Sequence, residues 1–439
     1  MSSGTTAIVL AAGKGTRMRS PRPKVLQPLC GRPMLAWVLD QARALEPERI
    51  VLVVGAGADE VAEAAHGMVG DRPLAVAVQE PQRGTGHAVQ VAAAEGLVGE
   101  RVVVLYGDMP LLRPETLEAL VAAQRAAGPG AMAITTALPT EPRGFGRIVR
   151  EDGAVRRVVE ERDASPEETA IREVNVGVYC FDRAALGADL PRLSDANAQG
   201  ELYLTDLVEL GLDGGRPVAS VRLEDPDEGL GVNTLHHLAE VRARLQERIQ
   251  EVHLGAGVLI EDPASTVIDH GVEIGAGTAI LPFSVIRSGV RIGAGCEVGP
   301  FTHLRTGTVL ADGAVVGNFT EFKNSTVGER SKVKHLSYLG DTRLGARTNV
   351  GAGTIFANYD GRAKHVTEVG DGVFLGSGTI VVAPNAVPDG ASTGAGAVVT
   401  RGAGMGPGDT FVGVPARRLA PRRPIVSGEE GVESEREEE

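Results

Sequence analysis

The sequence has little of several residue types that would define a structural class. Aromatic residues make up only 3% of the chain, so a large aromatic core is not expected. The three cysteines, Cys30, Cys180 and Cys296, are isolated and lack metal-ligand spacing, which argues against a disulfide framework and a zinc site. No apolar run approaches the roughly 18 residues of a membrane span, and the N-terminus has no leader-like segment. These absences predict a cytoplasmic protein without membrane insertion.

Positive charge is also scarce. The formal net charge is −13 at pH 7, whereas nucleic-acid-binding proteins usually carry a basic footprint, so no nucleic-acid partner is expected. One basic segment, residues 14–32, contains no acidic residue. It is either a solvated basic face or a place where a small anion binds. Because 43% of the residues are hydrophobic, the chain as a whole is not disordered.

The length of 439 residues exceeds what one hydrophobic core usually organises, so two domains are expected. In the first half, short apolar runs are typical of buried strands and alternate with amphipathic stretches such as residues 114–124. This alternation predicts a mostly parallel sheet with helices on both faces. The predicted strands are 7–11, 50–54, 74–78 and 102–106.

The second half is dominated by a repeat. Aliphatic residues recur with a strict period of six, which neither an α-helix nor a hairpin sheet would impose. The period indicates a triangular solenoid of about seven coils with one short strand per hexapeptide. It slips by one residue at Val327 and at Leu344, and an insertion interrupts it at 357–368. The hexad residues before the first slip are Ile268, Ile274, Ile280, Ile286, Ile292, Val298, Leu304, Leu310, Val316 and Phe322.

These patterns divide the chain into four segments. Residues 1–233 form the sheet domain, and 234–254 form a linker helix with apolar side chains every three or four positions. Residues 255–420 form the repeat domain. The last segment, 421–439, is rich in glutamate and has little to bury, which predicts a disordered acidic tail.

A Gly-rich basic loop follows the first predicted strand. It runs Leu10-Ala11-Ala12-Gly13-Lys14-Gly15-Thr16-Arg17, and its glycines would let backbone N–H groups approach a phosphate. It fits neither the dinucleotide fingerprint nor the Walker motif, and an ordinary strand-to-helix turn gives the same pattern. Further short motifs follow it in order: Pro23-Lys24-Val25-Leu26, Gln79, Gly84-Thr85-Gly86-His87, Tyr106-Gly107-Asp108, Gly144-Phe145-Gly146-Arg147, Glu160, Asn175 and Gly231-Val232-Asn233.

This ordered series resembles the GlmU family, the bifunctional N-acetylglucosamine-1-phosphate uridylyltransferases and glucosamine-1-phosphate N-acetyltransferases, over nearly the whole chain. The resemblance implies an α/β fold: a Rossmann-like nucleotidyltransferase domain joined by a helix to a left-handed parallel β-helix of hexapeptide repeats. It implies that glucosamine 1-phosphate is acetylated from acetyl-CoA, and that UMP then passes from UTP to N-acetylglucosamine 1-phosphate with release of pyrophosphate. The product would supply peptidoglycan and lipopolysaccharide precursors. Mg²⁺ is the implied cofactor and a homotrimer the implied assembly.

At the uridylyl site, the resemblance places Mg²⁺ on Asp108 and Asn233 and gives Arg17 and Lys24 catalytic roles facing the triphosphate. Phosphoryl-type transfer needs charge neutralisation and alignment more than a covalent nucleophile, which suits these residues. Taken alone, Asp108 is equally a strand-terminating turn residue, and Asn233 is equally an N-cap of the linker helix. The implied nucleotide-binding residues are Leu10, Ala11, Ala12, Gly13, Lys24, Gln79, Gly84, Thr85, Tyr106 and Asp108. The implied sugar-phosphate residues are Gly146, Glu160, Asn175 and Asn233.

The repeat domain breaks its period at 332–338 and 357–368, and a break in a regular scaffold is where a site is expected. The first break contains His335, although a lone histidine in a turn is more often structural than catalytic. Arg305 and Lys323 lie about one coil apart and would suit an anionic sugar phosphate. The resemblance makes His335 the general base for the amine. It implies Arg305, Lys323, Tyr338 and Asn349 for the sugar phosphate, and Ala352, Asn358, Tyr359, Ser377 and Ala395 for acetyl-CoA.

Two features depart from the family pattern. The span from Asn233 to Arg305 is shorter by about two coils. Gly413 stands where the family commonly has an arginine toward coenzyme A, and Arg417 or Arg418 would substitute for it. Two other interpretations stay open: a pyrophosphorylase for another sugar nucleotide, whose β-helix serves only assembly or regulation, and a non-catalytic binding scaffold of the same fold.

Overall fold

The computed structural model describes residues 4–55 and 58–419, and these described residues form two compact units that divide between Arg248 and Ile249. The boundary lies inside a helix rather than in a loop. The predicted tail, 421–439, lies outside the described residues. Among the described residues, no helix is both long enough and apolar enough to cross a membrane.

The first unit is organised by a nine-stranded sheet with the order β11-β7-β10-β6-β1-β4-β5, and with β8 and β9 beside β10. Strands β1, β4 and β6 are rich in valine and isoleucine and are buried on both faces, as expected for central parallel strands. A small hairpin, β2 and β3, lies outside this sheet. The strands are β1 Thr5–Leu10, β2 Pro28–Leu29, β3 Arg32–Pro33, β4 Arg49–Gly55, β5 Leu74–Gln79, β6 Arg101–Tyr106, β7 Met132–Ala137, β8 Arg147–Glu151, β9 Ala154–Val159, β10 Val174–Asp182 and β11 Val218–Arg222.

Helices accompany these strands, and separate apolar clusters pack on the two faces of the sheet. The prediction of a mostly parallel sheet with helices on both faces is confirmed. The sequence did not reveal that β10 runs antiparallel to both β6 and β7. The helices are α1 Met34–Ala44, α2 Asp59–His66, α3 Thr85–Ala94, α4 Pro114–Ala127, α5 Pro166–Thr169, α6 Arg183–Asp189, α7 Asp206–Asp213 and α8 Leu235–Gly255.

The second unit is a left-handed parallel β-helix of three sheets, which confirms the predicted repeat architecture. The first sheet contains β12 Leu259–Ile260, β15 Ala279–Ile280, β18 Glu297–Val298, β21 Val315–Asn318, β24 Lys332–His335, β27 Asn349–Val350, β30 Phe374–Leu375, β33 Ser392–Thr393, β35 Thr410–Val412 and β36 Arg417–Arg418. The second contains β13 Val267–Ile268, β16 Val285–Ile286, β19 Thr302–Leu304, β22 Thr320–Lys323, β25 Tyr338–Gly340, β28 Ile355–Ala357, β31 Ile380–Val382 and β34 Val398–Val399. The third contains β14 Glu273–Ile274, β17 Arg291–Ile292, β20 Val309–Leu310, β23 Thr326–Val327, β26 Thr342–Leu344, β29 Thr367–Val369 and β32 Asn385–Val387.

The aliphatic hexad residues form the interior of this β-helix. Their period of six arises because paired residues on successive coils are 18 positions apart, each coil has three strands, and each strand places one hexad residue in the interior. The second sheet shows the consequence of a changed coil length: Tyr338 pairs with Ile355, and Ile355 pairs with Ile380, across the insertion that the sequence predicted. The extra residues therefore leave the sheet register intact and project from a corner.

Candidate functional sites

The Gly-rich loop lies at the carboxyl ends of neighbouring parallel strands. Leu10, the last residue of β1, pairs with Tyr106, the last residue of β6. Gly107 donates its N–H to the Leu10 carbonyl at 2.8 Å, and a Cβ on Gly107 would lie 3.2 Å from the Ala11 side chain. The loop after β1 and Asp108 after β6 are thereby brought side by side. This edge is where ligands bind in open α/β sheets.

Within the described part of the chain, three adjoining cavities open at this edge, and two of them together contain all of the predicted residues of the first unit. All of the predicted nucleotide-binding residues line a cavity of about 300 Å³. Arg17 and all of the predicted sugar-phosphate residues line a second cavity of about 700 Å³. Thr85, Tyr106 and Asp108 line both cavities. The structure therefore brings the predicted residues of the first unit together as two subsites that share a wall.

A polar cluster stands at the junction of the two cavities. The Lys24 ammonium donates to Asp108 Oδ2 at 2.6 Å and to Asn233 Oδ1 at 3.2 Å. Arg17 donates to the same amide oxygen at 3.0 Å. The Asp108 carboxylate and the Asn233 amide oxygen therefore contact the same ammonium group. Oxygen ligands of this kind bind Mg²⁺ in proteins, with substrate phosphates and water completing the coordination. The donor set fits Mg²⁺.

The side chain of Asn233 is free for this role because a neighbouring residue caps the helix. Thr234 Oγ1 accepts the backbone N–H of His237 at 3.2 Å, at the first turn of α8. Thr234 therefore acts as the N-cap that the sequence had offered as an alternative role for Asn233.

The turn between β5 and α3 is fixed by close packing. Gly84 has a φ of 98°, and a Cβ there would lie 2.6 Å from the Leu202 carbonyl oxygen, so only glycine fits. Gln79 donates its side-chain amide to the Gly84 carbonyl at 2.9 Å. Thr85 Oγ1 accepts the N–H of Leu204 at 3.1 Å. The turn between β5 and α3 is thereby held against the segment that precedes α7.

The same segment also reaches the second cavity. Thr205, the residue before α7, donates its hydroxyl to Glu160 Oε1 at 3.1 Å. Burial raises the pKa of Glu160, and the hydrogen bond from Thr205 opposes that shift. Burial, and next the charge of Glu160, raise the pKa of Asp206 to about 6. Sequence reasoning missed Thr205 and Asp206, because a Thr-Asp pair before a helix signals only a helix start.

Asn175 is also oriented before any ligand binds. Its amide donates to the Tyr179 hydroxyl at 2.7 Å, and its Oδ1 accepts the N–H of Gly177 at 3.2 Å. The Tyr106 ring lies over Gly177, where a Cβ would come within 3.0 Å of it. Asn175 therefore presents a fixed face to the larger cavity.

In the second unit, one set of predicted residues stacks along the corner between the first and second sheets, which we call the histidine corner. Lys332 pairs with Asn349, Asn349 with Phe374, and Phe374 with Ser392. The residues three positions further along each coil therefore lie in register on successive coils. They are His335, Ala352, Ser377 and Ala395.

His335 is the first residue of the histidine corner, and its side chain is exposed. Its backbone carbonyl accepts hydrogen bonds from the Ser337 hydroxyl at 2.8 Å and from the Gly353 N–H at 3.2 Å. These two bonds fix the backbone at His335. Within residues 4–55 and 58–419, no hydrogen bond engages the imidazole. Asn349 is also exposed but lies on the outer face of β27, away from the turn.

A second set lies at the corner that follows the second sheet, which we call the cation corner. Lys323 pairs with Gly340, and Arg305 donates its N–H to the Phe322 carbonyl at 2.9 Å, so the two cations lie on successive coils. Contact with the side chain of Lys364 lowers the pKa of Lys323. The third cation, Lys364, was missed because its position in the insertion has no fixed phase relative to the hexads.

Polar groups around the cation corner are held in place. Asn358 donates to Asp341 at 2.6 Å, and Asn324 donates to its other oxygen at 2.7 Å. Burial raises the pKa of Asp341, but these two amides outweigh burial and the net shift is downward. A Cβ on Gly340 would lie 2.6 Å from the Tyr338 hydroxyl. Tyr338 and Asn358 therefore lie with the cations, although Asn358 was predicted for acetyl-CoA.

The two corners are not brought together within one chain. His335 precedes a strand of the second sheet, whereas Lys323 is the last residue of one, so the width of that sheet separates them. Near the end of the described chain, Arg418 pairs with Asp409 at 2.7 Å and Arg417 donates to the Ala416 carbonyl at 3.1 Å.

Comparison with known proteins matches residues 7–199 to the family model of the MobA-like NTP transferase domain. The chain is 43% identical to the bifunctional protein GlmU of Pelotomaculum thermopropionicum, over 86% of this chain and 89% of the relative. It is 45% identical to the GlmU of Alkalilimnicola ehrlichii, over 92% of this chain and 93% of the relative. It is 42% identical to the GlmU of Nocardia farcinica, over 91% of this chain and 89% of the relative.

Proposed function

This chain belongs to the GlmU family, and on that premise we propose which of its residues carry out each of two reactions. The protein is a bifunctional enzyme of UDP-N-acetylglucosamine synthesis. One activity is an acetyltransferase that acts on glucosamine 1-phosphate, and the other is a uridylyltransferase that acts on the acetylated product and UTP. The observation that carries the assignment is the convergence of Lys24, Asp108 and Asn233 where two cavities meet.

In the uridylyl reaction, UTP occupies the smaller cavity and N-acetylglucosamine 1-phosphate the larger one. Lys24 and Arg17 neutralise the triphosphate, and Glu160 and Asn175 orient the sugar. The sugar phosphate attacks the α-phosphorus of UTP, and the bond to pyrophosphate breaks. The attacking phosphate is already ionised, so no general base is needed. Asp108 and Asn233 would hold Mg²⁺, which when bound supplies further charge neutralisation.

In the acetyl reaction, Arg305, Lys323 and Lys364 bind the phosphate of glucosamine 1-phosphate. The sugar amine attacks the thioester carbonyl of acetyl-CoA, and the bond to sulfur breaks. His335 accepts the amine proton, and the coenzyme A thiolate leaves and is protonated. Acetyl-CoA lies along the histidine corner, from His335 past Ala352, Ser377 and Ala395. The order of these four residues supports the assignment of His335 as the base, because it places His335 at one end of the residues proposed to bind acetyl-CoA.

We propose a homotrimer in which one chain's histidine corner faces another chain's cation corner. The separation of the two corners within one chain supports this assembly, since a complete acetyl site needs both. The outer face of the second sheet also supports it. The outward positions of that face are Val267, Val285, His303, Glu321, Tyr338, Ile355, Ile380 and Val398, and Ile355 and Ile380 are exposed. The equivalent positions of the third sheet are more highly charged: they are Glu273, Arg291, Val309, Thr326, Arg343, Glu368 and Ala386.

We also infer that the enzyme acts in the cytoplasm. Cys180 and Cys296 are buried as free thiols, as expected in a reducing compartment. UTP and acetyl-CoA are intracellular substrates.

Incubation of the protein with glucosamine 1-phosphate, acetyl-CoA, UTP and Mg²⁺, followed by mass analysis, tests the proposed function. UDP-N-acetylglucosamine, coenzyme A and pyrophosphate are the expected products. If a nucleotide sugar forms only from a supplied sugar 1-phosphate and no acetyl transfer occurs, the enzyme is a pyrophosphorylase with a non-catalytic β-helix. Nucleotide binding without turnover would instead indicate a binding scaffold.

A further inference from the structure

The insertion between β28 and β29 forms a hairpin that carries Lys364. Tyr359 and Lys364 make an antiparallel bridge, and His365 donates its N–H to the Asn358 carbonyl at 2.8 Å. Gly361 lies at the tip with a φ of 92°, a left-handed conformation that glycine adopts without a steric penalty. Directly opposed residues in such a pair project to the same face, so Tyr359 and Lys364 share one side of the hairpin.

One carboxylate holds this hairpin together. Asp360 Oδ1 accepts the backbone N–H groups of Arg362 at 2.9 Å and Ala363 at 2.8 Å. Its Oδ2 accepts His365 Nε2 at 2.7 Å and Arg401 Nη2 at 3.3 Å. These contacts, led by the Ala363 N–H, lower the pKa of Asp360, so the carboxylate is charged at neutral pH.

Arg401 extends the restraint from the hairpin to the body of the β-helix. Its Nε donates to the carbonyl of Ala383 at 2.7 Å, one coil beyond the hairpin. Ala383 in turn donates its N–H to the Ala357 carbonyl at 3.0 Å, where the hairpin begins. Asp360 therefore connects the tip of the hairpin to regular β-helix structure on the next coil.

The hairpin needs such a restraint because Lys364 is placed against like charges. Its side chain contacts Lys323, and repulsion between these two cations lowers the pKa of Lys323 although the charge of Asp341 opposes that shift. Arg305, which pairs with Glu321 at 2.8 Å, adds to the repulsion, and the net repulsion favours movement of the exposed hairpin away from the corner. Ordering a long lysine side chain also costs conformational entropy. A phosphate would stabilise the three cations together, but only if Lys364 is already near them.

We propose that Asp360 is a positioning residue for glucosamine 1-phosphate: with His365 and Arg401 it holds the hairpin so that Lys364 stays at the cation corner. This inference rests on the proposed acetyltransferase site and adds a part of the chain that does not itself touch substrate. The Asp360 contacts act before substrate binds. Their loss is therefore expected to weaken the affinity for the sugar phosphate more than it slows chemistry.

The test compares full-length Asp360→Ala and Asp360→Asn with the wild-type enzyme. Asp360→Ala is expected to raise the KM for glucosamine 1-phosphate about tenfold, the effect of losing a hydrogen-bonded charge contact, while kcat changes less. Asp360→Asn keeps an oxygen acceptor for the backbone N–H groups but loses the charge, so a smaller rise is expected. Asp312→Ala is the matched control, since Asp312 Oδ1 also accepts a backbone N–H, that of Ala294 at 2.8 Å, at the corner after the third sheet.

A second comparison asks whether Asp360 acts through Lys364. In a Lys364→Met background, Asp360→Ala is expected to raise the KM no further. An unchanged KM in both Asp360 variants, or effects of Asp360→Ala and Lys364→Met that multiply in the double variant, would overturn the proposal. Uridylyl transfer and the melting temperature show whether each variant is folded. Absence of acetyl transfer in the wild-type protein would overturn the proposed function itself.

Discussion

The ammonium of Lys24 lies 2.6 Å from a carboxylate oxygen of Asp108, 84 positions away in the chain. The contact exists because β1 and β6 are neighbours in the sheet and the segments after them meet at one edge. Lys24 and Asp108 have side chains only 10% and 16% exposed, so the pair is protected from solvent screening. In the proposed function, this protected cation faces the triphosphate, and the two oxygen atoms that it contacts belong to the residues proposed to hold Mg²⁺.

Asp108→Ala should abolish uridylyl transfer because it removes the only carboxylate among the proposed Mg²⁺ ligands. Acetyl transfer should be nearly unaffected, since His335 and the cations lie in a different compact unit. Both rates are measured on one preparation, with pyrophosphate release reporting the first and free thiol reporting the second. Normal uridylyl transfer in this variant would remove Asp108 from the mechanism.

His335→Ala should lower acetyl transfer by about 10²- to 10⁴-fold, the range for loss of a general base. Uridylylation of supplied N-acetylglucosamine 1-phosphate should stay intact. The melting temperature is measured alongside, because the imidazole makes no hydrogen bond within the described residues and its loss should not destabilise the fold. Near-normal acetyl transfer would leave the β-helix a scaffold, whereas a parallel fall of both activities and stability would make His335 a turn residue.

Thr205→Val should raise the KM for N-acetylglucosamine 1-phosphate about tenfold, because Glu160 loses the hydrogen bond that fixes and stabilises its charge. The KM for UTP should change little. Thr116→Val is a matched control, since Thr116 also donates to a buried glutamate, Glu228, at 2.6 Å, outside both cavities. Equal effects of the two variants on the sugar-phosphate KM would contradict a specific role for Thr205.

Asp206 should make stability depend on pH. Its pKa is raised from 3.8 to about 6 by burial, so the folded protein binds the proton more tightly than the unfolded chain. Stability from this group is present below pH 4 and is lost as the pH rises to about 6. Asp206→Asn should therefore stabilise the protein at pH 7.5 by about 1 kcal/mol, a figure reduced because the side chain is partly exposed, and much less at pH 4. Thermal unfolding at both pH values checks this, and an equal effect at both would contradict the shift.

A fragment ending at Arg248 should retain uridylyl transfer without acetyl transfer. The cavities of about 300 Å³ and 700 Å³ are both lined by residues before this point, and α8 contributes Glu240 and Val241 to the larger one. A fragment ending at residue 233 lacks those side chains and should be less active. Loss of turnover in a folded 1–248 fragment would show that the β-helix completes the uridylyl site.

Much of this architecture could be predicted because its signals are periodic. The six-residue spacing from Ile268 to Phe322 reflects one inward side chain per strand, and the structure confirms it. Strand order in the first sheet has no such signal. Nothing in residues 174–182 shows that β10 enters antiparallel between β6 and β7, because its apolar run suits either direction.

The site residues that the sequence missed depend on contacts between distant segments. Thr205 reaches Glu160 across 45 positions, and Lys364 contacts Lys323 from a hairpin within which Asp360 accepts hydrogen bonds from Arg362, Ala363 and His365. Local sequence also gave Asn233 two possible roles. The structure separates them because Thr234 caps the helix and Asn233 faces Lys24.

Mixing two variants, each defective in one reaction, tests most directly whether the two reactions take place at independent sites. Asp108→Ala and His335→Ala are each incubated with glucosamine 1-phosphate, acetyl-CoA, UTP and Mg²⁺, separately and together, and UDP-N-acetylglucosamine is quantified by mass spectrometry. Neither variant alone should form the product at an appreciable rate. The mixture should form it, because the acetylated sugar phosphate released by one variant is the substrate of the other. Full synthesis by either variant alone, or an inactive mixture of two folded variants, would contradict this division of the chain.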